Sequence, residues 1–203
     1  AYEVFKNYDL DIIENNTGKT LTKEQILLLC SDIDGIIVGI DLMDEDILRS
    51  ASNLKAISKY GVGLDNINLK VAKELGIKVR RAEGANTRSV AELTVGLFFA
   101  LLRHLPKAVH DVKDGMWDRS IGYEVHGKTV GIIGFGAIGQ EVAKMSVGLG
   151  MQIIAYDPYF DKVELAKKLN VTMTGIEDIL AKADFVTLHL PLNNDTRKII
   201  DRE

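Results

Sequence analysis

The sequence predicts an α/β protein in which parallel strands alternate with helices. Short apolar runs next to glycine, such as Ile36–Val38 and Val130–Ile133, have the length of buried strands. Segments with helical periodicity separate them, a spacing typical of a parallel sheet covered by helices. The third observation is a glycine-rich turn at residues 134–139, between a predicted strand and a predicted helix.

The first half of the chain is predicted to contain four strands that alternate with helices. A capping box at Thr22–Gln25 marks the start of one helix. Gly76 is expected to end another, because glycine adopts the left-handed conformation common after a helix. In order, the predicted elements are helix Ala1–Asn7, strand Asp11–Ile13, a helix after Thr22, strand Ile36–Val38, helix Asp44–Ser50, strand Leu54–Ser58, helix Leu69–Leu75 and strand Ile77–Val79.

The second half begins with a long apolar helix. A second capping box at Ser89–Glu92 predicts its start, and the helix is apolar nearly all round through Leu102. Such a helix is usually buried on every side, so it is expected between two domains, between two subunits or within one domain. The later predicted elements are a helix and loop over residues 106–117, strand Val130–Ile133, helix Ala137–Gly148, strand Met151–Tyr156, helix Lys162–Leu169, a strand at Val171, helix Ile176–Lys182 and strand Phe185–His189.

Residues 130–139 carry the main functional signal. They read Val-Gly-Ile-Ile-Gly-Phe-Gly-Ala-Ile-Gly, which is G-x-G-x-x-G between a strand and a helix. Gly134 permits the tight turn, Gly136 leaves room for a pyrophosphate, and Gly139 allows close packing of helix and strand. With Phe135, Ala137 and Ile138, these glycines form the predicted dinucleotide-binding turn of a Rossmann-type doubly wound sheet. The alternative is a glycine-rich turn without a ligand.

An acidic residue at the end of the next strand supports the dinucleotide interpretation. Asp157 follows Tyr156 and is placed to accept hydrogen bonds from the adenosine ribose hydroxyls. Its charge would repel a 2′-phosphate by about 4 kcal/mol per unit charge at about 4 Å, with an effective dielectric constant near 20. The sequence therefore favours NAD over NADP.

Composition narrows the range of partners and compartments. The net charge of -4 argues against nucleic acid as the main partner. Cys30 is the single cysteine, so no intrachain disulfide can form, and a reducing, cytoplasmic location is expected. Leu93–Leu102, the longest apolar stretch, is too short to cross a membrane. No metal site is predicted.

Four sequence blocks together resemble the D-isomer-specific 2-hydroxyacid dehydrogenases, in particular the phosphoglycerate dehydrogenase branch. They are Tyr60–Ile67, Asn86–Leu93, Val130–Gly139 with Asp157, and His189–Leu192. The resemblance implies a flavodoxin-like substrate lobe over residues 1–90 and the first part of an NAD-binding domain over residues 91–203. It also implies a substrate cleft between them, a homodimer formed through the cofactor domains, and oxidation or reduction of a small 2-hydroxy or 2-keto acid.

The resemblance assigns ligand contacts to several residues. Gly61, Val62 and Gly63 would hold the substrate carboxylate through backbone N–H groups, and Asn86 would contact substrate. From the residues alone, an ordinary loop and a turn asparagine remain alternatives. His189, Leu190, Pro191 and Thr196 would line the adenine and ribose side of the cofactor. His189 is not interpreted as catalytic, and His104, His110 and His126 are expected to be surface or packing residues.

No catalytic residue is predicted within residues 1–203. In the family that the chain resembles, the catalytic arginine, glutamate and histidine lie after the position that corresponds to Glu203. The chain is therefore expected to be incomplete at both ends, to bind NAD weakly and to be inactive by itself. The alternatives are an NAD-sensing protein that resembles the family's corepressors, and a branch acting on formate or phosphite.

The substrate remains open at this stage. The loop Val38–Met43 lacks the arginine with which phosphoglycerate dehydrogenases commonly meet the phosphate, and its Asp41 would repel one. Lys59 and Arg88 are candidates for compensation. Phosphoglycerate and another small 2-hydroxy acid of the lactate, glycerate or glyoxylate type are both retained.

Overall fold

The protein divides into two compact α/β units. The computed structural model describes residues 2–201, with side chains from residue 3 onward. The division falls after Ala82, so the helix that contains the expected boundary at residue 90 belongs whole to the second unit. The buried residues of this helix, Ala91 and Phe98, pack in the core of the second unit.

The first unit is a three-stranded parallel sheet in the order β1-β2-β3. Helices and sheet enclose a core that includes Val38, Ile47, Ile57 and fully buried Cys30, as expected for a packing cysteine. Burial raises the pKa of the Cys30 thiol. The elements are α1 Tyr2–Phe5, α2 Lys23–Cys30, β1 Gly35–Val38, α3 Glu45–Ser50, β2 Ala56–Lys59, α4 Leu69–Glu74 and β3 Lys78–Arg81.

Most of the predicted elements in this unit are confirmed within one or two residues. The capping box is present: the Thr22 side chain accepts from the Gln25 N–H, and the Gln25 side chain accepts from the Thr22 N–H. The predicted strand at Asp11–Ile13 is wrong. Ile12 and Ile13 are exposed, and this segment joins neither sheet of the described chain. Without burial or a ladder partner, β-branched residues alone do not make a strand.

The second unit is a four-stranded parallel sheet in the order β6-β5-β4-β7. Numbered from its own first strand, this is the order 3-2-1-4 with which a Rossmann sheet begins, as predicted. The chain crosses over between β6 and β7, so its switch point lies between β4 and β7. The elements are α5 Thr87–Leu102, α6 Leu105–Lys113, β4 Thr129–Ile133, α7 Ala137–Gly148, β5 Gln152–Tyr156, α8 Val163–Lys168, β6 Val171–Met173, α9 Ile176–Lys182 and β7 Phe185–Leu188.

The start of α5 differs from the prediction. The helix begins at Thr87 with Asn86 as N-cap, so Ser89 is inside the helix and the second capping box is wrong. Glu92 instead accepts a hydrogen bond from Arg88 at 2.9 Å. An i,i+4 ion pair replaces the capping contact, because helical geometry places Arg88 and Glu92 on the same face.

Helix α5 buries one face within its unit. Ala91, Thr94 and Phe98 are buried, whereas Leu93 and Leu97 on another face are exposed. In residues 2–201, no single helix is long and apolar enough to cross a membrane. Only α5 and α6 taken together meet that criterion, and they are bent by 66°.

The N-cap of α3 generates a test of stability in the first unit. Asp44 accepts from the Ile47 N–H at 3.0 Å and from Lys23 at 2.7 Å. Asp44→Ala should lower the free energy of unfolding by about 1 kcal/mol, and Asp44→Asn, which keeps a capping oxygen, by less. Lys23 and the Ile47 N–H lower the pKa of Asp44. The extra stability of wild type over Asp44→Asn should therefore be present at pH 7 and fade as the pH falls below about 4.

Urea unfolding of these variants between pH 7 and pH 3 measures both effects. Asp46→Ala is the control, because Asp46 contacts the same lysine but does not cap the helix. Equal losses in Asp44→Ala and Asp44→Asn at pH 7 would contradict the capping role.

Candidate functional site

The turn from β4 to α7 has the geometry that a pyrophosphate requires. Gly134 has φ +95°, and a Cβ there would come within 2.5 Å of the His189 carbonyl oxygen. A Cβ on Gly139 would collide with the Gly134 carbonyl oxygen, so α7 lies directly against the turn. In contrast, no atom lies within 4 Å of the Cβ position of Gly136, which leaves open space beside the backbone. Gly134 and Gly139 thus have the steric roles that the sequence indicated, and the space beside Gly136 is open; a pyrophosphate in that space stays a prediction.

The N-terminus of α7 offers unpaired donors at this turn. Gly136 is the N-cap and has no side-chain cap. Within residues 2–201, the N–H groups of Gly136, Ala137 and Ile138 have no protein acceptor. The helix dipole adds a partial positive charge at the same place. Free N–H groups and this dipole together favour a phosphate.

Asp157 is held at the same edge of the sheet. Its Oδ2 accepts from the Phe135 N–H at 2.9 Å, and its Oδ1 accepts from the Tyr159 N–H at 3.0 Å. A carboxylate has about four lone-pair sites, so two backbone bonds leave capacity for two ribose hydroxyls. The protein thus fixes the carboxylate in place without saturating it.

The side chains between the three glycines differ in their exposure to solvent, and the buried one stabilises the turn. Phe135 is fully buried and packs edge-on against Phe160, with ring centroids 5.0 Å apart. Ala137 is exposed and Ile138 is half-buried. Gln140, which the sequence interpretation omitted, donates from Nε2 to the Phe135 carbonyl at 2.9 Å. The one feature of the sequence that could have indicated this contact is that Gln140 is a polar residue in the first turn of a largely apolar helix.

The segment after β7 lies beside the glycine turn. The His189 N–H donates to the Ile133 carbonyl at 2.8 Å, which extends the ladder beyond the strand. The His189 ring is half-buried, with Nε2 3.1 Å from Thr187 Oγ1. Burial lowers the pKa of His189, so the neutral imidazole is favoured at neutral pH. This environment agrees with its interpretation as a non-catalytic residue.

Thr196 closes the loop that follows. Its Oγ1 donates to the Pro191 carbonyl at 2.6 Å and accepts from the Asn193 N–H at 2.9 Å. Asn193 Oδ1 accepts in turn from the Thr196 N–H. Leu190 is half-buried and Pro191 is exposed. Thr196 therefore shapes the segment, and Asn193 is a second loop residue that the sequence interpretation omitted.

In the first unit, the loop after β2 presents backbone donors. Gly61 has φ +139°, a conformation that other residues rarely adopt. Its carbonyl accepts from the Ala82 N–H at 3.1 Å, and the Val62 carbonyl accepts from Arg81 at 3.3 Å. Within the described chain, the N–H groups of Val62 and Gly63 have no protein acceptor. These two N–H groups can donate hydrogen bonds to an anionic group.

Asn86 has an unusual environment for a turn residue. It is the N-cap of α5 but makes no capping hydrogen bond. Its Oδ1 is buried and has no partner among the described residues. A buried polar atom without a partner costs about 1–3 kcal/mol, so this oxygen is a candidate ligand contact.

The two proposed compensating cations are engaged within the protein. Lys59 donates to the carbonyl of Gly39 and to Asn66 Oδ1. Arg88 is exposed and pairs with Glu92. Asp41, in the loop after β1, accepts a hydrogen bond at Oδ1 from the Leu21 N–H at 3.1 Å, and this bond orients its carboxylate.

Comparisons with known proteins identify the family of the chain. Residues 95–203 match the model of the D-isomer specific 2-hydroxyacid dehydrogenase, NAD binding domain. The chain belongs to this family of dehydrogenases. It is 42% identical over 190 residues to a hydroxypyruvate reductase of Thermotoga maritima, and 45% identical over 195 residues to a D-3-phosphoglycerate dehydrogenase of Methanocaldococcus jannaschii.

A solved structure of the family gives the same result for the fold. The D-lactate dehydrogenase of Aquifex aeolicus, complexed with NAD and lactic acid, superposes with a TM-score of 0.81 at 27% identity. The alignment covers 96% of this chain and 57% of that one. The chain aligns over 92% and 94% of its length with the two curated dehydrogenases but spans only 61% and 37% of theirs. The second unit is thus the NAD-binding domain of this dehydrogenase family, with NAD as its cofactor.

The close approach at Gly139 generates a prediction for the NAD-binding domain. Gly139→Ala should lower the free energy of unfolding by about 1–3 kcal/mol, because the added methyl overlaps the Gly134 carbonyl. It should also weaken NADH binding, since relief of the clash moves α7 away from the turn. Thermal unfolding and titration of NADH fluorescence measure the two effects.

Gly148→Ala is the matched control on the same helix. No atom lies within 4 Å of its Cβ position, so it should be neutral or stabilising by up to about 1 kcal/mol. If Gly139→Ala binds NADH as tightly as Gly148→Ala does, the turn does not hold the cofactor in the way described.

Proposed function

We propose that the protein carrying this chain is an NAD-dependent oxidoreductase that interconverts a small D-2-hydroxy acid and its 2-keto acid. The observation that carries the proposal is the glycine turn with free amides at α7 and an amide-held Asp157 beside it. We place its activity in the cytoplasm, in line with a single buried cysteine.

Each group of residues has a separate task in this proposal. The amides of Gly136, Ala137 and Ile138 hold the pyrophosphate, and Asp157 binds the adenosine ribose. His189, Leu190, Pro191 and the loop held by Thr196 line the adenine and ribose side. The bound nicotinamide supplies or accepts the hydride.

The substrate contacts belong to a second group of residues. In the first unit, the amides of Val62 and Gly63, in the turn that Gly61 permits, hold the substrate carboxylate. In the second unit, the buried amide oxygen of Asn86 is the proposed substrate contact. Amides can hold a carboxylate without an opposing charge, because the N–H dipoles converge on it. No proton-transferring group is assigned among residues 2–201, since His189 is half-buried and engaged with Thr187.

Two substrates are supported by different observations. Similarity to phosphoglycerate dehydrogenases over nearly the whole chain favours 3-phosphoglycerate. The loop after β1 favours an acid without a phosphate, such as hydroxypyruvate, because it contains Asp41 and no cation. The 42% identity to a hydroxypyruvate reductase is in line with this second candidate.

A substrate panel with the purified natural protein tests the proposal. NADH oxidation is followed with 3-phosphohydroxypyruvate, hydroxypyruvate, pyruvate and glyoxylate, and NADPH replaces NADH in a parallel series. We expect turnover with NADH, at least about 100-fold better in kcat/KM than with NADPH, since Asp157 repels the 2′-phosphate. NADH binding without turnover of any acid would contradict an enzymatic role and favour an NAD-sensing one.

Asp157→Ala is the matched variant within this experiment. It should raise the Kd for NADH by at least about ten-fold, because two hydroxyl hydrogen bonds to a charged acceptor are lost. Asp161→Ala, four residues later on an exposed stretch, should leave the Kd unchanged.

We also propose that the protein forms a homodimer through the exposed face of α5. Leu93, Leu97 and Leu101 recur every fourth residue and are 64%, 52% and 65% exposed. Gly96 lies among them with open space around its Cβ position. Glycine within a helix costs about 1 kcal/mol relative to alanine, so a close approach by a second helix is a reason for its presence. An apolar stripe of this kind marks an interaction surface.

Sedimentation measures the mass of wild type, Leu97→Glu and Leu28→Glu. We expect a dimer for wild type and Leu28→Glu, and a monomer for Leu97→Glu, because a buried unpaired charge opposes association. Leu28 is the control because it is 77% exposed on α2, outside the stripe. A dimer that survives Leu97→Glu would place the interface elsewhere.

A further inference from the structure

The first unit contains a buried lysine whose described partners are all neutral. Lys59 is the last residue of β2, and only 8% of it is exposed. Its Nζ donates to Asn66 Oδ1 at 2.6 Å and to the Gly39 carbonyl. Among residues 2–201, no carboxylate forms an ion pair with it. Burial of a cation is costly unless opposing charge or several hydrogen bonds compensate for it.

Lys59 and Asn66 connect the loops that follow β1 and β2. Asn66 Nδ2 donates to the Asp41 carbonyl at 2.6 Å and to the Gly39 carbonyl at 3.2 Å. The Asn66 carbonyl accepts from the Met43 N–H at 2.8 Å. We call the two side chains and the carbonyls of Gly39 and Asp41 the Lys59–Asn66 latch.

The latch lies against the loop that presents free amides. A Cβ on Gly61 would be 3.5 Å from Lys59 Cε, so the lysine stem packs against the backbone of that residue. Gly61 begins the turn whose Val62 and Gly63 N–H groups have no acceptor in the described chain. An ammonium carries three donors, and two of them are used in the latch. The lysine stem therefore packs at the first residue of the turn, and the ammonium keeps one donor that the latch does not use.

We propose that Lys59 is a positioning residue for the anionic substrate. It fixes the Gly61–Gly63 turn through Asn66 and Gly39, and its charge favours a carboxylate at the Val62 and Gly63 amides. This inference rests on the proposed function, since it assumes that the turn binds the substrate carboxylate. A carboxylate of the protein, that of Asp65, lies at this turn, with Oδ1 2.7 Å from the Cβ position of Gly63. No carboxylate among residues 2–201 forms an ion pair with Lys59, so the substrate carboxylate would supply that pairing charge.

The charge and the latch geometry have different consequences. If Lys59 has only a structural role, every substitution of it should lower the stability of the protein. Lys59→Arg should then not restore substrate binding, because arginine does not match the shape of lysine. A role through charge affects binding of the anion and is retained by arginine. It also leaves NADH binding unchanged, because the cofactor turn belongs to the second unit.

The experiment compares the natural protein with Lys59→Met, Lys59→Arg and Lys55→Met. The measurements are KM and kcat for hydroxypyruvate, the Kd of oxamate for the NADH complex, and the Kd of NADH. We expect Lys59→Met to raise KM and the oxamate Kd by at least about ten-fold, with kcat changed by less than about three-fold. Lys59→Arg should recover most of the affinity. Lys55→Met, which removes an exposed lysine paired with Asp34, should match wild type.

Asn66→Ala provides a second test if Lys59→Met does not fold. It keeps the charge but releases the Gly39 and Asp41 carbonyls, and we expect a rise in KM of about three-fold or more. Unchanged oxamate affinity in Lys59→Met, or in Asn66→Ala where Lys59→Met is unfolded, would overturn the inference while the activity of wild type still supports the proposed function. A wild type that binds NADH but turns over none of the panel acids would overturn both.

Discussion

The contact between α7 and the turn after β4 is the constraint on which the cofactor site depends. Gly139 lies so close to the Gly134 carbonyl that no side chain fits between them. The first turn of α7 is therefore fixed at the end of β4, and its unpaired amides face the space beside Gly136. A helix placed further away would keep its dipole but would not present donors at the end of the strand.

The parallel order of the second sheet brings the other candidate cofactor residues to the same edge. Asp157 follows β5 and His189 follows β7, and both strands pair with β4. Because all strands point the same way, their carboxyl ends share one edge. The switch point lies between β4 and β7 at that edge, which is the place where ligands bind in open α/β sheets. Hydrogen bonds from Phe135 and Tyr159 then hold the Asp157 carboxylate in one orientation.

The candidate anion site of the first unit differs from that of the second in the groups that it presents. It has no helix terminus and relies on two amides in a turn that Gly61 permits. The buried charge of Lys59 adds electrostatic support that the amides alone would lack. In both units a small residue exposes backbone donors, and a buried polar contact fixes the geometry of the turn. In the proposed function, backbone N–H groups bind the anionic groups of both ligands, and Asp157, Asn86 and Lys59 add the contributions of side chains.

The sequence by itself determined the α/β class, most of the helices and strands, and the glycine-rich turn after β4. Local rules suffice there, because glycine spacing and the acid after β5 have one common structural use. Local rules failed at Asp11–Ile13, which has strand-like residues but no ladder partner, and at Ser89, where Asn86 begins the helix earlier.

Only the tertiary structure decided what the polar side chains contact. Lys59 is surrounded by carbonyl and amide oxygens contributed from positions 39 and 66, and Gln140 and Asn193 support loops that the sequence did not single out. These contacts depend on how segments distant in sequence meet in space. Periodicity and motif spacing describe neighbours along the chain, so they carry no information about such encounters.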